Sequence, residues 1–99
     1  GRRYLLAHTV PEKERMPTTL EQCVGCAGRN YILGEPDYDE IYFDDVTIVT
    51  GHTPTVLIDK RFAGRIWKGN NHIAVDCGAV FGNPLGCICL DTGKEYYVE

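Results

Sequence analysis

Apolar positions along the chain come in short runs, each closed within a few residues by glycine, proline, asparagine or a charge cluster. Arg3 to His8 ("RYLLAH") is an apolar run ending in histidine and reads as a buried strand. Val46 to Thr50 ("VTIVT") is β-branched throughout and stops at Gly51-His52, with Pro54 preventing simple continuation. Arg65 to Lys68 and His72 to Asp76 read as two strands joined at Gly69-Asn70-Asn71, a strong turn signal. Leu85 to Leu90 and Glu95 to Val98 flank Asp91-Thr92-Gly93-Lys94, a second hairpin signal. Helical character is scarce. Thr18 and Glu21 have the spacing of a capping box, which predicts a short helix to about Cys26, weakened at Gly25 and ended by Gly28. Tyr31 to Leu33 reads as a strand stub or a turn, Glu12 to Pro17 as a loop, and residues 34–40 as turn material centred on Pro36. Pro54 to Ile58 leads into the basic turn "DKRFAGR". The pattern predicts a strand-rich α/β chain with one or two short helices, and residues 1–99 form one unit without repeat, linker or low-complexity tract.

Size and charge narrow the classes. At 99 residues about two-thirds of the unfolded surface can be buried, enough for a core without staples. A net charge of -4 argues against nucleic acid or an anionic membrane as partner. No apolar run approaches the ~20 residues of a membrane-spanning helix. Five cysteines cannot all pair within one chain, and nothing resembles a secretory leader, so the expectation is a reducing, cytoplasmic setting. The chain opens "GRRYLLAH" without an initiator methionine, which suggests a piece of something longer.

Two histidines share a context. His8 follows "YLLA" and His52 follows "TIVTG", each where an apolar strand meets a loop. Rigid strand ends with open loops are where α/β scaffolds present ligands and reacting groups. Imidazole ligates zinc, manganese and iron, yet a catalytic metal usually takes at least three protein ligands. Further donors must therefore come from elsewhere in this chain, from another chain or from a missing segment. Asp76, in "AVDCGAV", either orients a histidine or forms a turn with nearby amides, and the turn is the favoured reading. His72 follows the Asn-Asn turn at the far end of its strand and reads as structural. Cys23-x-x-Cys26 and Cys87-x-Cys89 offer a rival four-thiolate zinc site, disfavoured because paired knuckles use x-x spacing in both halves. On a strand Cys87 and Cys89 share a face, as small apolar residues of a two-sided buried strand.

"TIVTGHTPT" followed by "NNHIAVDCGAVFGNPLGCICLDTGKEYYV" resembles the C-terminal part of calcineurin-like metallophosphoesterases, and most of all the bacterial and phage serine/threonine protein phosphatases. "RRYLLAHTVP" resembles an earlier family segment in which an apolar strand ends in a metal-binding histidine. GHTP alone is weak; in this order with VDCGAVFG and LDTGKEYYV it is specific, and the resemblance spans nearly the whole chain. It implies part of an α/β/β/α sandwich with a two-metal centre at the strand ends. It also implies hydrolysis of phosphomonoesters by a metal-bound hydroxide. His8 and His52 would both bind the second of two divalent ions (Mn, Fe or Zn).

Two departures qualify that implication. The family's Asp-x-His, Gly-Asp-x-x-Asp-Arg-Gly and Gly-Asn-His-Glu segments do not occur in residues 1–99, so this chain alone should not turn over phosphate esters. Its expected partners are the N-terminal catalytic half of the parent and a phosphorylated substrate. Relatives also carry a phosphate-gripping arginine before the GHTP strand, where this chain has Glu35; Arg15 is a candidate replacement, against a solvated loop arginine. The alternative is a non-catalytic binding or interaction module on the same fold remnant. Either way, apolar strand faces such as those of Ile48, Val75 and Ile88 are expected to lie uncovered and to drive self-association.

Overall fold

A computed structural model of the chain describes residues 2–23 and 28–99. Six strands form in chain order: β1 (Arg3–Leu6), β2 (Val46–Thr50), β3 (Trp67–Gly69), β4 (His72–Ala74), β5 (Leu85–Ile88) and β6 (Glu95–Val98). β1, β2 and β4 run parallel, β3 lies antiparallel on the edge, and the sheet order is β1-β2-β4-β3. The predicted strand-rich α/β class is the one observed.

Register gives the sheet two unlike faces. Leu5, Ile48 and His72 lie in one row across β1, β2 and β4, so their side chains leave the same face. On that face Val46, Ile48, Thr50, His72 and Ala74 are buried. Val46 and Ile48 pack with Val10, Met16, Cys23, Tyr42 and Phe43 from the loops between β1 and β2. The long connection from β1 to β2 thus supplies the core that a parallel pair requires. Tyr4, Thr47, Val49 and Ile73 leave the opposite face and are half-buried. The β5–β6 hairpin is tied to both edges of the sheet on this side. Tyr4 Oη donates to the Leu90 carbonyl at 3.1 Å, and Lys68 pairs with Glu95 at 2.7 Å.

Turn chemistry sets both hairpins. Asn70 and Asn71 adopt φ of 52° and 55°, the left-handed pair of a two-residue turn joining β3 to β4. In the β5–β6 turn Gly93 takes φ of 79°.

Among the described residues three short helices occur: α1 (Leu20–Cys23), α2 (Asn30–Leu33) and α3 (Thr55–Ile58). α1 starts one residue later than the Thr18–Glu21 box predicts. Thr19 is the cap, its Oγ1 accepting from the Gln22 amide at 3.3 Å, while the Thr18 hydroxyl donates to Gln22 Oε1 at 3.3 Å. The expected continuation to Cys26 lies outside the described residues. Tyr31 to Leu33 belongs to a helix rather than to a strand stub. The Leu33 amide bonds the Arg29 carbonyl at 2.7 Å and Gly34 bonds Asn30 at 3.1 Å, so local bonds satisfy a segment too short for periodicity to decide. The Glu12–Pro17 loop contains one 3-10 turn over Lys13–Arg15.

Two packing expectations are overturned. Ile48 is 1% exposed and belongs to the chain's own core, so removing a neighbouring layer would not uncover it. Cys87 is exposed and Cys89 half-buried, because β5 turns only one face to the sheet and is not buried on both sides. Exposed apolar surface sits elsewhere, on Leu6, Ile32, Leu33, Leu57, Val80, Phe81, Leu85 and Val98. Among the described residues no helix is long and apolar enough to cross a membrane.

Candidate functional site

The ladder between β1 and β2 runs past the ends of both strands. The Ala7 amide bonds the Val49 carbonyl at 3.0 Å, and the Gly51 amide bonds the His8 carbonyl at 2.9 Å. These bonds fix the two histidine backbones side by side at the C-terminal ends of adjacent parallel strands, where open α/β sheets bind their ligands.

The side chains meet. His8 Nε2 lies 2.9 Å from His52 Nδ1, with ring centroids 4.7 Å apart and planes at 60°. His8 is exposed and His52 half-buried. His52 has a φ of 67°, and the Thr53 amide bonds the Gly51 carbonyl at 2.7 Å, closing a three-residue turn around it. A left-handed non-glycine residue costs on the order of 1 kcal/mol, and such strain clusters at functional sites. Histidine tolerates that region better than most residues. Pro54 then starts α3, and the buried Thr55 anchors it, its Oγ1 lying 2.9 and 2.7 Å from the carbonyls of Phe62 and Arg65.

The other sequence candidates separate from this pair. Asp76 Oδ1 accepts from the Gly78 amide at 2.9 Å, and Gly78 has φ of 87°, so the aspartate forms a turn. Arg15 pairs with Glu12 at 3.0 Å within its own turn. Glu35 does come to the site: the Thr53 hydroxyl donates to its Oε2 at 3.4 Å, one residue from His52. A carboxylate therefore stands beside the turn that carries His52. Cys26 lies outside the described residues, and among the described residues no three His, Cys, Asp or Glu side chains form a metal-sized group. A polar cleft lined in part by Arg3, Lys13, Glu21 and Asp45 is at the other end of β1. There Arg3 is already bonded to Glu21 at 2.8 Å and Asp45 at 2.6 Å.

His72 is structural in its contacts. It is 1% exposed, and Nε2 lies 2.7 Å from Thr50 Oγ1. Tyr38 stacks on it at 5.2 Å, and Trp67 meets both rings edge-on. Burial pushes the His72 pKa down from 6.5 to about 4, which keeps the imidazole neutral. Burial likewise raises the Tyr38 phenol, with the charges of Glu35 and Asp76 adding to the effect. This aromatic cage escapes sequence reading because Tyr38 comes from a turn-rich segment whose composition says only that it is a loop. Thr50 is the part that β2 alternation makes legible, as an inward residue two positions before His52.

The donor set of the pair suits one metal ion in part. Two nitrogens bound to one ion at roughly 2.0–2.1 Å lie roughly 2.9–3.4 Å apart for octahedral to tetrahedral angles. The observed 2.9 Å falls within that range. His8 and His52 would each hold the ion through the nitrogen now facing the other ring. Comparison of the chain with protein-family models, with curated proteins and with solved structures finds no match.

Proposed function

We propose that this chain is the C-terminal part of a metal-dependent phosphoesterase of the calcineurin-like type, and that it contributes His8 and His52 to a divalent-metal site. The observation carrying this reading is the convergence of the two imidazoles at 2.9 Å, beyond the C-terminal ends of neighbouring parallel strands. These are the two residues that the GHTP segment and the "RYLLAH" segment single out in the resemblance. When bound, a divalent ion supplies Lewis-acid activation of water and neutralises phosphate charge. The chain's own part is to hold two neutral nitrogens at ligand spacing on a rigid sheet. The remaining donors and the phosphate-binding cation come from the parent's N-terminal half, and the substrate is a phosphomonoester such as a phosphoserine or phosphothreonine side chain. A reducing cytoplasm suits the exposed Cys87 thiol.

Glu35 favours a second reading. Its carboxylate beside Thr53 would repel a phosphate dianion, which fits a non-catalytic module that retains the fold but binds another ligand.

The test uses p-nitrophenyl phosphate and Mn²⁺. The 99-residue chain alone should turn over no faster than buffer. A parent chain with the Asp-x-His, Gly-Asp-x-x-Asp-Arg-Gly and Gly-Asn-His-Glu segments should turn over, and His8→Ala or His52→Ala should each lower its rate at least a hundredfold. Undiminished turnover in both variants overturns the assignment.

A further inference from the structure

Glu35 is brought to the paired histidines from both sides. α2 is tied to the end of β1, where the Thr9 amide bonds the Tyr31 carbonyl at 3.3 Å and Thr9 Oγ1 donates to the Gly34 carbonyl at 2.9 Å. From the other side the Thr53 hydroxyl, next to His52, bonds Glu35 Oε2 at 3.4 Å. Glu35 is exposed, so its charge is open to a ligand at that turn. The ion pairs of Arg3, Arg15, Arg61 and Lys68 all go to other carboxylates. Asp76 adds a second carboxylate nearby, since its main-chain carbonyl accepts from the Thr55 amide at 2.8 Å at the start of α3. Burial raises the Tyr38 phenol most, and the charges of Glu35 and Asp76 add to it, which gathers both carboxylates around one buried hydroxyl. We infer that Glu35 selects the substrate: the phosphomonoester is carried by a polypeptide, and a Lys or Arg beside the phosphorylated residue is held by the Glu35 carboxylate. This rests on the phosphoesterase reading above and adds the substrate class to it.

The electrostatics require a partner of this kind. A phosphate dianion and Glu35 repel each other, and a substrate cation placed between them turns that repulsion into two attractions. Neighbouring residues of an extended peptide have Cα atoms about 3.8 Å apart, so the side chain next to a phosphoserine or phosphothreonine is in reach of the same site. An acidic neighbour meets like charge and is refused, which is how a rim charge produces specificity rather than raw affinity. The apolar rim favours a polypeptide over a small phosphoester. Leu33, Leu57 and Phe81 are 60%, 75% and 75% exposed. They stand on the connections that leave the C-terminal ends of β1, β2 and β4, the end of the sheet that carries His8 and His52. Exposed apolar side chains grouped at one end of a molecule mark a contact surface, and flanking residues of a peptide can use it.

The experiment compares two blocked peptides, Ala-pSer-Arg-Leu and Ala-pSer-Glu-Leu. With the parent chain and Mn²⁺, kcat/KM should favour the arginine peptide by about fivefold or more, the scale of one partly exposed ion pair set against one repulsion. Glu35→Gln should bring the ratio close to one, and Glu35→Arg should reverse it; circular dichroism checks that both variants fold. Equal use of the two peptides by the natural chain, or a preference that survives Glu35→Gln, overturns the inference while leaving the phosphoesterase reading intact. If the parent turns over neither peptide, that reading fails, and the 99-residue chain decides the inference by ¹H–¹⁵N spectra. There the Thr53 amide should respond to the arginine peptide at lower concentration than to the glutamate peptide, and Glu35→Gln should abolish the difference. No difference between the peptides in those spectra also overturns it.

Discussion

At the scale of single residues, two histidines do opposite things for physical reasons that can be separated. His52 occupies a left-handed turn at φ of 67°, where glycine is unstrained and alanine is not. His52→Gly should therefore be more stable than His52→Ala by about 1 kcal/mol. Urea midpoints for the two variants check this; equal midpoints would mean that the turn stores no strain. His72 is held neutral in an aromatic cage. In the unfolded chain it titrates near 6.5, and in the folded chain only near 4. Its contribution is complete above pH 6.5 and is lost as the pH falls from there toward 4, because the unfolded state takes up the proton first. The total is on the order of 3 kcal/mol. His72→Gln should flatten the loss of stability between about pH 7 and about pH 5 in denaturant melts, relative to the natural chain. An unchanged slope would assign the acid sensitivity to the carboxylates.

At the scale of elements, strands and hairpins are well marked in the sequence and helices are not. β2 is predicted to the residue because five β-branched positions end at a glycine. The Asn70-Asn71 turn is legible because both residues must adopt φ > 0. The same asparagines do more than turn: Asn70 Nδ2 donates to the Tyr38 carbonyl at 2.9 Å and Asn71 Nδ2 to the Phe43 carbonyl at 3.0 Å. They fasten the loop that carries the cage, a long-range role that local propensity does not report. Asn71→Gly keeps the turn and removes the side-chain bonds to the Phe43 and Asp44 carbonyls, so a loss of about 1 kcal/mol is expected. Asn71→Ala adds backbone strain and should cost about 2 kcal/mol. Thermal melts of the two variants separate bond from turn, and equal losses would remove the strain component. α2 was not legible, because four residues carry too little periodicity, and α1 shifted by one residue because Thr18 and Thr19 both suit a cap. The hairpin's seating depends on a close approach at Gly86, where an added Cβ would lie 2.6 Å from Cys77 Sγ. Gly86→Ala should lift the hairpin, destabilise by about 1–3 kcal/mol and raise amide exchange from Leu85 to Val98. Unaltered exchange there would mean that Cys77 yields without moving the strand.

At the scale of the molecule, the site was more legible than the surface. The sequence shows that His8 and His52 each follow an apolar strand, and only the resemblance puts them on one metal; the parallel pairing of β1 with β2 is what brings the two rings together. The uncovered surface could not be read in the same way. Burial on each face depends on which loop covers it, and the β1–β2 connection covers Ile48 completely. Glu35 reaches the site through its contact with Thr53, a meeting of distant segments that local pattern does not report. The proposed metal site requires His8 and His52 to act as one ligand pair. The most direct measurement is a long-range ¹H–¹⁵N spectrum of the imidazole nitrogens during Zn²⁺ titration. His8 Nε2 and His52 Nδ1 should shift together toward metal-bound values while both His72 nitrogens stay fixed. Shifts confined to His72, or to only one of the two strand-end histidines, would contradict it.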